Sequence, residues 1–443
     1  MPDNTQFTNA QSNADVLVLG AGIAGLSAAR AVAEAGHRVL LLEARERAGG
    51  RILSLATKHG VTVELGAEFV HGRAPELWKL IEECGATTVE RGGATLRELI
   101  EGKLTEDEDA ETGDLFDPLE HLADIKHDLP FAEWLRNSEV PQHEQAALLG
   151  YVEGFNAADA NRISARALGV QQKAEDEIEG DRLWHLRGGY AQLTDFLVNR
   201  LQQLGVVIRF ECVVESIRWE IDDVRVQTSG GVFRAPKCII ALPLGVLQSS
   251  IAFDPEPRVI MAARRLAMGN AARFTMIFRD RWWESSPLLY PDALRDLSFL
   301  FTPHRLPPVW WTTHPEKQKL PTLTGWAGGP RAANIGARTP EELGREACAQ
   351  LAAVFQSPQE RVAGALLATY MHSWAADPFS RGAYSYVPAG ALDAPAIMSQ
   401  PQAATLFFAG EHTDTSGHWG TVHAALRSGL RASSQVLEAI RSR

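Results

Sequence analysis

Cysteine is scarce. The 443 residues hold four, at Cys84, Cys212, Cys238 and Cys348, with no CxxC or CxH spacing among them, so neither a zinc site nor a disulfide framework is suggested. Basic charge is outweighed: 43 Lys and Arg face 55 Asp and Glu, a formal net charge of -12. A surface of that sign repels nucleic-acid phosphates and anionic lipid. Long apolar runs are missing too. The longest, Val16 to Ala29, is broken by three glycines and is too short to span a bilayer. The first residues, MPDNTQFTNAQSNAD, lack both a basic n-region and an apolar h-region and do not read as a signal peptide. No internal repeat or low-complexity linker is found. These absences lead us to expect a soluble cytoplasmic protein of a reducing compartment, with no nucleic acid, membrane or metal among its partners and room for a homodimer.

What is present is ordinary globular material, 45% apolar and 22% charged, with length for two or three domain-sized cores. Val16–Gly20 reads as a strand buried on both faces. A glycine turn, an Ala-rich helix to about Ala35, and a second strand, Arg38–Glu43, follow. Residues 81–185 carry an acidic run, Glu106–Asp117, and read as mostly helical. Strand patterns return over 187–247, with Ser229-Gly230-Gly231 as a hairpin turn. Residues 260–385 mix a strand at Phe274–Phe278, Trp/Pro-rich loops and a helix near Glu341–Phe355. The tail from Thr405 reads as strand, glycine turn and long helix.

The first glycine turn is Gly20-Ala21-Gly22-Ile23-Ala24-Gly25, a GxGxxG between a strand and a helix. Its first glycine permits the tight turn, its second lets backbone approach a pyrophosphate, and its third packs helix on strand. The helix N-terminus offers N–H groups and a positive dipole end to phosphates. Glu43 ends the next strand about 20 residues on, where a carboxylate binds ribose hydroxyls. Together these features predict a dinucleotide site.

The stretch Glu43-Ala44-Arg45-Glu46-Arg47-Ala48-Gly49-Gly50-Arg51 resembles the ExxxRxGGR signature of FAD enzymes in the amine oxidase superfamily. Its glycine pair can pass close to a diphosphate that Arg45 and Arg51 neutralise. The resemblance continues through Val63–Gly72, Arg187–Tyr190, Cys212-Val213-Val214, Ala241-Leu242-Pro243, Trp374–Tyr386, Phe408–Thr413 and Gly420–Gly429, all in the family's order. It implies an α/β fold, in which a Rossmann-type FAD domain (13–80, 186–250, 385–443) interleaves with an α+β substrate domain (81–185, 251–384) carrying a helical insert.

The resemblance also implies roles. Non-covalent FAD is held by Gly20, Gly22, Ala24, Gly25, Glu43, Ala44, Arg45, Gly50, Arg51, Ala67, Glu68, Phe69, Val213, Trp374, Gly410, Glu411, Thr421 and Val422. Ala383 stands where monoamine oxidases bond the flavin through cysteine. Tyr384 matches the aromatic residue beside the flavin, whereas Thr421 stands where monoamine oxidases carry a second tyrosine. Trp374 matches a tryptophan near the ring and reads equally well as core. His71 matches a pocket histidine of polyamine oxidases. The clearest departure is Arg273, four residues after Gly269, where the family usually has a lysine that holds a water near flavin N5.

The function implied is oxidation of the C–N bond of a small primary or secondary amine to an imine by hydride transfer to FAD, with oxygen as acceptor and peroxide as product. The nearest branch is that of polyamine oxidases and histone demethylases. The alternatives are an L-amino-acid oxidase using an arginine for the carboxylate, a flavin desaturase, and a flavin-binding redox protein using another acceptor. The flavin, not a side-chain nucleophile, supplies the chemistry.

Overall fold

The computed structural model describes residues 14–99, 102–106, 117–288, 291–314 and 318–442. Five parallel strands form the first sheet, in the order Val207–Arg209, Val39–Leu42, Val16–Leu19, Lys237–Ile240, Leu406–Phe408. Three distant parts of the chain therefore meet in one sheet. Val16–Leu19 is buried throughout because both sheet faces are covered. Val16 and Val18 join a core under the helices, while Leu17 and Leu19 join a second core on the opposite face. Each such side chain contributes roughly 1.5–3 kcal/mol of apolar burial.

Helix Ile23–Glu34 lies against Ala191–Gln203 and the C-terminal helix Val422–Arg441. Two close approaches depend on missing side chains, one of this helix to its own entry turn and one of the C-terminal helix to it. A Cβ on Gly25 would sit 1.9 Å from the Gly20 carbonyl oxygen, and one on Gly429 would sit 2.2 Å from that of Ala24.

The second large sheet has seven strands: Leu366–Met371, Ala271–Phe278, Thr322–Gly328, Val309–Trp311, Leu297–Phe301, Ala94–Glu98 and Leu104–Glu106. Its second strand, Ala271–Phe278, paired on both sides, is buried at all eight positions. A three-stranded sheet, Phe69–His71, Leu183–Leu186 and Thr88–Glu90, sends Val70 and Trp184 into the core of the first sheet and sets Phe69 against Trp311 of the second. Helices Phe131–Asn137, Gln142–Asn156 and Ala165–Asp176 pack around a small core that includes Phe131, Leu148, Val152 and Tyr386.

One expectation needs correction. Residues 81–185 are not mostly helical at their start, since Thr88–Glu90, Ala94–Glu98 and Leu104–Glu106 are strands. Their polar, short-period sequence hid this. They take their pairing from partners far along the chain, such as Leu297–Phe301 and Leu183–Leu186. Most of the acidic run lies outside the described residues.

Candidate active site

One cavity of about 1650 Å³ runs from the first glycine turn to the second large sheet. Pockets for drug-sized ligands hold about 300–1,000 Å³, so this one has room for a dinucleotide together with a further molecule. Gly20, Gly22, Ala24, Glu43, Ala44, Arg45, Gly50, Arg51, Ala67, Glu68, Phe69, Val213, Trp374, Gly410, Glu411, Thr421 and Val422 all line it, as do His71, Arg273 and Tyr384. Gly25 does not; it lets the helix pack closely on the Gly20 turn and on Ala241 instead.

The dinucleotide end is built from backbone. Helix Ile23–Glu34 begins at Gly22 with no side chain capping it. A Cβ on Gly22 would meet no protein atom within 4 Å, so the space over that helix end is open. That open cradle at a positive helix terminus fits the diphosphate of FAD. Glu43 accepts from the Ala21 N–H at 2.7 Å and the Arg45 N–H at 2.9 Å, which holds its carboxylate beside the turn.

The two expected phosphate-neutralising arginines are both paired. Arg45 donates to Asp377 Oδ1 at 2.8 Å and Ser380 Oγ at 2.9 Å. Arg51 donates to Glu411 Oε1 at 2.8 Å and the Ala383 carbonyl at 2.9 Å. Glu411 also accepts from Ser385 Oγ at 2.5 Å and the Gly420 N–H at 3.1 Å. Burial pushes this carboxyl up, but Arg51, His412 and Ser385 outweigh it and hold it below the usual carboxylate range. Glu411 thus ties the Tyr384 segment to the start of the C-terminal helix.

Thr421 caps that helix: its hydroxyl accepts from the Ala424 N–H at 3.2 Å and donates to the His418 carbonyl at 2.8 Å. Val422 begins the helix at the cavity wall. Beside it, the Tyr384 ring lies over Gly420, where a Cβ would come within 2.9 Å of Tyr384 Cδ2. The Tyr384 hydroxyl donates to the Phe155 carbonyl at 2.6 Å, which couples this segment to the helical insert. Trp374 donates from Nε1 to the Leu65 carbonyl at 2.7 Å.

Arg273 lies on the fully buried strand Ala271–Phe278 and faces the same space. It donates to Glu68 Oε2 at 2.5 Å and to the Gly66 carbonyl at 2.7 Å. Glu68 also accepts from Trp311 Nε1 at 3.1 Å, and His185 Nδ1 lies 3.5 Å away. Arg91 donates to His185 Nε2 at 2.9 Å, which leaves the ring proton on Nδ1, toward Glu68. Burial would raise the Glu68 carboxyl, yet the charge of Arg273 reverses that and holds it ionised. Burial likewise keeps His185 neutral, at about 4, and lowers Arg91 to about 9.

Sequence reasoning missed the far wall. Tyr151 and Phe155 stack with centroids 5.4 Å apart, and Phe299, Phe301, Trp311 and Trp326 complete an aromatic lining with His71. These residues come from four separate elements whose motifs carry no spacing signal. Burial lowers His71 to about 4, so its ring is neutral. Glu153, on the same wall, is pushed up by burial.

Comparison with known proteins places this geometry. The family model "Flavin containing amine oxidoreductase" matches residues 23–115 and 94–437. Lysine-specific histone demethylase 1 homolog 2 of Oryza sativa subsp. japonica is 28% identical over 97% of this chain and 58% of its own length. Polyamine oxidase 4 of the same plant is 26% identical over 95% of this chain and 88% of its own. The chain spans under three fifths of the first curated relatives it matches. Putrescine oxidase bound to putrescine superposes with a TM-score of 0.82 at 21% identity, covering 96% of this chain and 99% of that one. Cyclohexylamine oxidase from Brevibacterium oxydans gives 0.80 at 20%, covering 97% and 99%. At such identities the structural likeness speaks to the fold.

Proposed function

This chain belongs to the flavin-containing amine oxidoreductase family, with FAD as its cofactor, and from that premise we propose that it oxidises a small primary or secondary amine to an imine. The observation that supports this most is the continuity of one cavity from the open Gly22 cradle to an aromatic chamber walled by Tyr384, Phe155, Trp311 and Trp326. FAD, which the Gly20–Gly25 turn and the N-terminus of helix Ile23–Glu34 would hold, would supply the hydride acceptor for the carbon beside the nitrogen.

The protein's own contribution is position and electrostatics. The GxGxxG turn and the N-terminus of helix Ile23–Glu34 hold the diphosphate. The N-terminus of helix Val422–Arg441 presents a positive dipole end to the cavity, where it favours added negative charge. The aromatic chamber excludes water and disfavours an ammonium relative to the free amine, the form that gives up hydride. Neutral His71 can exchange a hydrogen bond with the amine nitrogen.

Arg273 sets the choice among narrower readings. An amino-acid oxidase needs an arginine ready for a substrate carboxylate. Arg273 is instead committed to Glu68 and Gly66, and a second carboxylate beside Glu68 would meet its charge. An amine is therefore the better-supported substrate. That same ion pair favours a second reading of the acceptor: a cation cancelled at 2.5 Å offers less help to oxygen, and a different electron acceptor then serves. A screen of mono-, di- and polyamines and L-amino acids, read as peroxide release and as dye reduction, tests both points. Turnover of amines with dye but little peroxide supports the second reading. Turnover of amino acids alone overturns the amine assignment.

A further inference from the structure

Beside the cavity, which His423 lines, is a cluster that amine oxidation does not use. Glu175 is near the end of helix Ala165–Asp176, His418 is in the loop before the C-terminal helix, and His423 is in that helix's first turn. They are far apart in sequence, so no spacing motif announces them. One ligand atom from each lies within 4.8 Å of the other two. Their exposures are 9%, 2% and 2%. Neither oxygen of Glu175 has a hydrogen-bond partner, and nor does Nε2 of His423.

A buried carboxylate is normally paired or bound to metal. Among the described residues no cation lies within ion-pair distance of Glu175. The nearest candidate, Arg427, is held by Glu76 at 2.6 Å and lies 3.4 Å from Asp414. His418 donates from Nε2 to the Ala174 carbonyl at 2.9 Å, which leaves Nδ1 as its lone-pair nitrogen. A metal-binding imidazole is typically oriented by such a bond from its other nitrogen to a carbonyl. Nδ1 now accepts from Arg427 at 3.1 Å and lies 3.0 Å from Ser416 Oγ, whose own proton goes to Asp414 Oδ1 at 2.6 Å; Arg427 can exchange its contact for fuller pairing with Glu76.

We propose that Glu175, His418 and His423 form a binding site for one divalent ion of the zinc type. Two imidazoles with one carboxylate suit zinc and its neighbours; calcium and magnesium prefer all-oxygen shells. Ligand bonds of about 2.0–2.2 Å require the three donors to draw together by roughly an ångström, within reach of side-chain rotation. Water fills the remaining position. The bound ion clamps the helical insert to the helix that opens on the cavity, and His423 lines that cavity.

The test uses the FAD-loaded protein, stripped with a chelator, dialysed against zinc chloride and assayed for metal and flavin. The expected result is one zinc per chain, with two imidazoles in its X-ray absorption spectrum. Glu175→Gln and His423→Asn each remove a ligand and should weaken zinc binding by more than the roughly 10–100-fold that loss of an outer-shell partner costs, with FAD content unchanged in Glu175→Gln. Substoichiometric uptake, uptake equal in wild type and variants, or a bound zinc without two imidazoles overturns the site. If a variant fails to keep FAD, the wild-type stoichiometry and spectrum decide alone.

Discussion

The guanidinium of Arg273 donates to Glu68 Oε2 at 2.5 Å, and both side chains are more than nine-tenths buried. The cation at this position therefore faces the cavity already compensated. Two substitutions read what that compensation does. Glu68→Gln keeps an acceptor for Arg273 but removes the negative charge, so reoxidation by oxygen should accelerate at least about tenfold. Arg273→Met removes the cation and should slow it, while leaving Glu68 buried and unpaired at a cost of about 3–5 kcal/mol in stability. Stopped-flow mixing of the reduced proteins with oxygen, beside thermal melts, checks both. Identical reoxidation in all three proteins would mean that Arg273 has no electrostatic role there.

Gly22→Val should give a folded protein without flavin. A Cβ there meets no protein atom within 4 Å, but the side chain fills the approach that a diphosphate needs. Circular dichroism and flavin content after purification measure the two halves. A folded variant with full flavin would refute the cradle.

FAD should leave with denaturation, since Ala383 offers no atom for a covalent bond. Acid precipitation followed by absorbance of pellet and supernatant shows where the yellow colour goes. Colour retained in the pellet would contradict non-covalent binding.

Glu64 makes stability depend on pH. Burial raises its carboxyl from 4.5 to about 7, against the opposing bonds from Tyr190 N–H and Ser54 Oγ. The folded state then binds a proton that the unfolded chain has released, so this group's contribution to stability falls as pH rises from about 4.5 to about 7. The total change is on the order of 3 kcal/mol. Glu64→Gln should flatten that part of the stability curve in chemical denaturation at several pH values. An unaltered slope would show that Glu64 is ionised throughout.

How much was legible in the sequence follows from what each residue answers to. Gly20, Gly22 and Gly25 obey local rules of turn and close approach, and the motif alone placed them. The nucleotide-binding strands were legible because burial on both faces makes them continuous apolar runs. Thr88–Glu90 and Ala94–Glu98 were not, because short, half-buried strands take their state from distant partners. The pairing of Arg273 with Glu68 was open in the sequence and needed the fold to bring the two together. The aromatic wall at Tyr151, Phe155 and Trp326 had no signal at all, since tryptophans and tyrosines read first as core.

Amine oxidation itself is tested most directly by mixing the FAD-loaded protein anaerobically with an amine and following flavin absorbance. At least one small primary or secondary amine should bleach the oxidised band in a single turnover and leave the corresponding aldehyde, or its ketone equivalent, after imine hydrolysis. A flavin that stays oxidised with every amine, yet bleaches with an L-amino acid or a substrate lacking nitrogen, would contradict the assignment.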